Sequence, residues 1–203
     1  MSDCKTMRLT LVPAHTRTEA VLFASLLAAN ATPERVARLG LSGAALTALL
    51  RRHFVQPLPG PEGWPALAAG LPTPAWASNA IFVVEMREML RRRADPMLHP
   101  ADAADMATIL ATACLRPDHL WRDLGLTGRD DVTALLTHFF PSLVAENTGN
   151  LRWKRFLAEA CARAYGRAPA PAPGCPGCEA YGECYVHLRQ TVIPIKADDS
   201  SAH

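Results

Sequence analysis

Cys175-Pro176-Gly177-Cys178 sets two thiols three positions apart, and Cys184 follows after the five residues Glu179 to Glu183. Thiolates are soft ligands, and sulfurs at this C-x2-C-x5-C spacing can converge on one metal centre. The glycine makes the turn between the first two permissive. Two side chains are candidates for a fourth ligand: Cys161, thirteen intervening residues upstream, and His187, just past Cys184. A closed zinc site and an iron–sulfur cluster are both compatible with this set, and spacing alone puts zinc slightly ahead. A redox dithiol at Cys175 and Cys178 is a third chemistry, disfavoured because no βαβ pattern surrounds the pair.

Other residues carry weaker signals. Cys114 sits in an Ala-rich segment, where free cysteine acts as a small hydrophobe, and Cys4 is terminal. His119, beside Trp121, reads as a capping or core-edge histidine and as a distant candidate ligand. Arg152, Lys154 and Arg155, interleaved with Trp153 and Phe156, suit attraction of an oxyanion or an acidic partner as well as they suit a solvated helix face. His53 and His138 read as core-edge residues.

The elements that must position these side chains are helices. Thr16-Arg17-Thr18-Glu19 has the form of a capping box ahead of a Leu- and Ala-rich run to Ala29. Thr32-Pro33-Glu34 and Ser42 open two more helices, the second with Leu46, Leu49, Leu50 and His53 at helical spacing. Pro57, Pro59, Pro61, Pro65, Pro72 and Pro74, with Gly60, Gly63 and Gly70, predict an extended connector packed by Trp64 and Trp76. Helical periodicity returns from Ser78 to Arg93, with Ile81 and Val84 assigned to an apolar face and Glu85, Glu88 and Arg92 to a charged one. Further helices are expected from Pro100 to Leu115 (Ala103, Ala107, Leu110 and Cys114 on one face), from Pro117 to Gly125, from Thr127 or Asp130 to Phe139, and from Pro141 to Glu146. Asn150 is expected to cap a last long helix that ends at Gly166.

The resulting fold class is all-α, an irregular multi-helix bundle with a C-terminal cysteine-rich metal-binding loop. Its parts are an N-terminal helical segment (1–56), a Pro/Gly-rich connector (57–77), a helical body (78–166) packed against the first segment, the cysteine loop (167–190) and a tail (191–203). One internal echo spans this plan. Leu39-Gly40-Leu41-Ser42-Gly43 resembles Leu124-Gly125-Leu126-Thr127-Gly128, and the same offset aligns His53-Phe54 with His138-Phe139.

Composition narrows the function classes. Of 203 residues 49% are apolar and 20% charged, with mean hydropathy +0.04, an ordinary globular balance. Net charge is +2, too small to point to nucleic acid. The apolar stretch from Val21 to Ala31 contains Ser25 and Asn30 and is too short for a bilayer, so no membrane partner is expected. No cleavable apolar leader follows Met1, which points to the cytoplasm, where clustered thiols serve metals rather than disulfides.

Four stretches together resemble the nitrogen-fixation protein family NifQ: Ala113-Cys114-Leu115-Arg116-Pro117-Asp118-His119-Leu120-Trp121-Arg122-Asp123-Leu124-Gly125-Leu126, His138-Phe139-Phe140-Pro141-Ser142-Leu143, Leu151-Arg152-Trp153-Lys154-Arg155-Phe156-Leu157, and the cysteine loop. The resemblance implies a carrier, not an enzyme, with an iron–sulfur cluster (3Fe-4S or 4Fe-4S type) and molybdenum. It would donate molybdenum to the nitrogenase iron–molybdenum cofactor, with molybdate or another molybdenum source and the cofactor-assembly scaffold proteins as partners. Cys175, Cys178 and Cys184 match the last three positions of the family motif C-x4-C-x2-C-x5-C, and Ala170 stands where its first cysteine belongs. Cys161 then becomes the conditional fourth ligand. The alternative is a zinc-stapled helical interaction module.

Overall fold

The structure is a computed structural model that describes residues 13–14, 17–55, 63–74 and 76–186. Cys4, Thr16, His187, the connector prolines Pro57, Pro59 and Pro61, and the 191–203 tail lie outside the described residues. Among those described, eleven α-helices and two three-residue 3-10 helices account for the regular structure, and pairing between extended segments is limited to one isolated bridge, Pro13 to Phe54. The all-α expectation therefore holds.

The first helices are α1 (Thr18–Ala29), α2 (Pro33–Ala37), α3 (Gly43–His53) and α4 (Trp64–Gly70). Thr32 and Ser42 cap α2 and α3 as their residue types predict, accepting from the Arg35 and Ala45 amides. The capping box expected from Thr16 to Glu19 rests on Thr16, which lies outside the described residues. The residue at the cap of α1 is Arg17, without a side-chain cap, and the Glu19 carboxylate reaches His138 at 3.1 Å. The connector is not extended throughout. Trp64 and Pro65 begin α4, because a proline in a first helical turn removes no hydrogen bond, and Trp64 is wholly buried.

The body is α5 (Ala80–Arg92), α6 (Pro100–Ala113), α7 (Leu120–Leu124), α8 (Arg129–Phe139), α9 (Pro141–Glu146) and α10 (Trp153–Ala164). Helix α6 is buried on nearly every side, and its alanines and threonines let neighbours approach closely. Its Thr108 and Thr112 hydroxyls satisfy themselves on carbonyls four residues back. The inward face of α5 is Val83, Met86, Met89 and Leu90, and Ile81 and Val84 point to solvent. The assignment from sequence therefore had the wrong apolar stripe: the charged residues share a side with it, and only packing against α6 identifies the buried one. Asn150, expected to cap α10, adopts φ +49° two residues before Arg152, the residue at the cap. It sits in a turn whose ends Asn147 ties to Leu151.

The internal echo is geometric as well as sequential. Gly40 and Gly125 both turn left-handed (φ +76° and +74°), each between a short helix and a longer one. Both longer helices end in His-Phe, and each histidine meets a carboxylate from elsewhere: His53 with Asp102, His138 with Glu19.

Candidate functional site

Beyond Gly166 (φ +66°), which stops α10, the chain returns along the helical body and forms a tight 3-10 turn at Cys175–Gly177 and the short helix α11 (Tyr181–Cys184). The loop is seated by contact rather than by unusual dihedrals. Gly174 lies against the Arg116 backbone, where a Cβ would fall 2.0 Å from the carbonyl oxygen, and its amide donates to the Cys114 carbonyl at 3.0 Å. Gly177 rests on Pro117, 2.5 Å from where its own Cβ would be. The glycine inside the thiol pair thus serves close approach, not the permissive turn that the spacing suggested.

The turn under the loop is held from behind. Lys154 is buried, and its ammonium donates to the Arg116 carbonyl (2.7 Å), the Asp118 carbonyl and the Asp123 carboxylate. Those three bonds use all three of its protons. The reading of Lys154 as a cation open to an oxyanion is therefore corrected: it is a staple for the 116–118 turn.

Cys175, Cys178 and Cys184 line one cavity of about 330 Å³. Its other walls come from the start of α7 (His119, Leu120, Trp121), from α8 (Arg129, Val132), from the first turn of α10 with Arg152, and from Tyr181 and Tyr185 on the loop itself. Cys175 is buried, and Cys178 and Cys184 are partly exposed. Burial pushes the Cys175 thiol up, opposed by a backbone hydrogen bond at Ala172, the Lys154 charge and a hydrogen bond with Tyr185. Burial also pushes Cys184 up, and the nearby Arg152 and Arg155 guanidiniums pull it back. Metal binding needs thiolates, so both arginines favour the ligating form.

Ion pairs close the loop onto the body. Glu179 meets Arg122 (2.9 Å) and His119 (3.3 Å), and Glu183 meets Arg152 (2.5 Å). Arg155 donates to the Cys184 carbonyl and lies over the Tyr185 ring. His119 does not cap α7 through its side chain; its ring stacks near Trp121 and borders the cavity.

The two other described cysteines lie elsewhere. Cys114 is fully buried under the loop, its thiol pushed up to about 12 by burial. Cys161 is buried on α10 near Glu85 and Arg167, its thiol pushed up to about 11 by burial and then by the Glu85 carboxylate. It is six residues beyond Arg155, roughly 240° around the helix, and is not among the residues that line the cavity. Among the described residues no three His, Cys, Asp or Glu side chains are arranged as a metal-ion site, so the three thiols share a cavity rather than a single coordination point. Tyr181, Tyr185, Glu179 and Glu183 had no separate signal in the sequence beyond their nearness to the cysteines.

The family model for NifQ matches residues 20–186, from α1 through the end of the loop. The chain belongs to the NifQ family. Protein NifQ of Azotobacter vinelandii is 34% identical over 160 residues, covering 72% of this chain and 76% of that protein. Protein NifQ of Rhodobacter capsulatus is 32% identical over 149 residues, 73% of this chain and 76% of that one. A Protein NifQ homolog of Sinorhizobium fredii is 40% identical over 94 residues, 44% of this chain and 41% of its own. No solved structure matches. The NifQ match contains every wall of the thiol cavity. Among the described residues no helix is long and apolar enough to cross a membrane.

Proposed function

We propose that the chain carries an iron–sulfur cluster with molybdenum and hands the molybdenum on for assembly of the nitrogenase iron–molybdenum cofactor. Cys175, Cys178 and Cys184 hold the cluster through iron, and the loop from 167 onward is a metal-binding loop. The observation that carries this reading is three soft donors around one cavity of about 330 Å³. A zinc staple requires four ligands closed on a single ion at about 2.3 Å per sulfur, and has no use for such a space. A polynuclear cluster does. Membership of the NifQ family supports the setting in nitrogen fixation.

Three protein thiolates leave one corner of a four-metal cluster without a cysteine, which suits a centre that exchanges a metal. Cys161 becomes a fourth ligand only if the end of α10 turns toward the loop. The protein in this reading is a carrier rather than a catalyst. It works in the reducing cytoplasm between a molybdenum source and the scaffold proteins of cofactor assembly.

Anaerobic purification followed by counts of iron, acid-labile sulfide, molybdenum and zinc per chain tests this directly. Iron and sulfide in comparable amounts, with molybdenum, are expected, and Cys178→Ser should lose all three. One zinc per chain without sulfide establishes the zinc-stapled module instead.

A further inference from the structure

The mouth of the thiol cavity also carries an arginine and a histidine. Arg152 and His119 lie side by side, with the guanidinium Nη1 3.4 Å from His119 Nε2, and both line the cavity. Each is met by a glutamate of the loop, Arg152 by Glu183 and His119 by Glu179. Those glutamates are the most solvent-exposed members of the pairs, at 74% and 65%. Lys154, by contrast, is fully committed to the turn beneath. Arg152 therefore presents a charged fork whose carboxylate partner is exposed enough to be exchanged.

We propose that Arg152 and His119 form a binding site for a tetrahedral oxyanion at the mouth of the thiol cavity, with Glu183 and Glu179 as placeholders that the oxyanion displaces. This rests on the carrier reading and names the form in which its cargo arrives. A dianion offers several oxygens where each carboxylate offers two, and an arginine fork recognises either in bidentate fashion. The first turn of α10, Trp153 to Arg155, borders the same space, and no side chain caps that end. Its free amides add to the positive potential there. An oxyanion held at this mouth sits beside Cys184, so its metal enters the cavity on the side where sulfur ligands wait.

The reduced, metal-free full chain is titrated with molybdate, and sulfate serves as a competitor because it has the same shape and charge and no affinity for thiolates. Sulfate is expected to displace molybdate. Arg152→Ala should weaken binding at least about tenfold. Because Arg152 also holds the loop, Glu183→Gln is the decisive variant: it removes the competing carboxylate and keeps the cation, so binding should tighten several-fold. A mere latch predicts no gain. Unchanged or weaker binding in Glu183→Gln, or no competition by sulfate, overturns the proposal. Iron per chain after anaerobic reconstitution reports on the carrier reading separately. Iron retained with oxyanion binding insensitive to these changes refutes only the oxyanion site; absence of iron in the parent refutes the carrier reading whatever the titration shows.

Discussion

Lys154 and Asp123 form an ion pair between α10 and α7 that is almost dry, their side chains 6% and 9% exposed. Asp123 also receives Arg116 at 3.3 Å, and the same ammonium holds two carbonyls of the turn on which the thiol loop rests. Lys154→Met keeps most of the stem but leaves a buried carboxylate short of a partner and two carbonyls unmet. Removing one member of such a pair costs about 3–5 kcal/mol. Urea unfolding should register that loss. Iron bound per chain should fall by more than half even where circular dichroism shows the helices intact. A cost below about 1 kcal/mol would mean that the staple contributes little.

Gly174 tests the seating of the loop without touching a ligand. A Cβ there would sit 2.0 Å from the Arg116 carbonyl oxygen and 2.5 Å from the carbonyl carbon, so backbone must part from backbone. Gly174→Ala should cost about 1–3 kcal/mol, felt mainly as the loop lifting off the body. Native-state hydrogen exchange is expected to lose protection at the Gly174 amide, now bonded to the Cys114 carbonyl, before it loses any in α6. Equal loss in both would show that the loop and the body unfold as one.

Most helices were legible because their signals are local. Thr32 and Ser42 cap what their residue types say they cap, Gly125 and Gly166 stop what precedes them, and the Leu46, Leu49, Leu50, His53 stripe is buried as spaced. The errors arise where a partner decides. Ile81 loses its place in the core to Val83 once α6 is packed alongside. In the site, the cysteine spacing located the loop and the three thiols of one cavity. It could not reveal that Lys154 is spent behind the turn, that His119 borders the cavity, or that α10 carries Cys161 away from it. Each depends on how α7 and α10 are placed, and no short sequence window holds that information.

The two left-handed corners offer an internally controlled pair. Gly40 and Gly125 have nearly the same φ, so alanine at either pays the same backbone strain of about 1–2 kcal/mol. Their surroundings differ. A Cβ on Gly40 would meet the Thr112 hydroxyl at 2.2 Å on the buried α6, whereas one on Gly125 would meet the Ala29 Cβ at 3.1 Å. Gly40→Ala is therefore expected to destabilise by about 1–3 kcal/mol more than Gly125→Ala. Matched urea curves check the order, and equal losses would show that the corner over Thr112 relaxes freely.

Asp102 gives the fold a signed response to acid. Burial by itself would raise its carboxyl; the hydrogen bond and charge of His53, then those of Arg52, outweigh burial and hold it below the ordinary range. Asp105, its neighbour on α6, goes the other way, raised by burial that its contact with Arg52 does not overcome. A carboxyl depressed in the folded state contributes stability above its unfolded value, and that contribution disappears as pH falls through the folded one. Asp102→Asn should thus cost about 3–5 kcal/mol at pH 7, the range for breaking a buried charged pair. Its gap from the parent should narrow steadily below about pH 4. For Asp105→Asn the sign at neutral pH favours the uncharged side chain, which offsets part of the lost Arg52 bond, so the cost at pH 7 should be smaller. Urea midpoints of the parent and both variants between pH 2.5 and 7 decide the matter. A gap between Asp102→Asn and the parent that is as wide at pH 3 as at pH 7 would remove Asp102 as the acid-sensitive group.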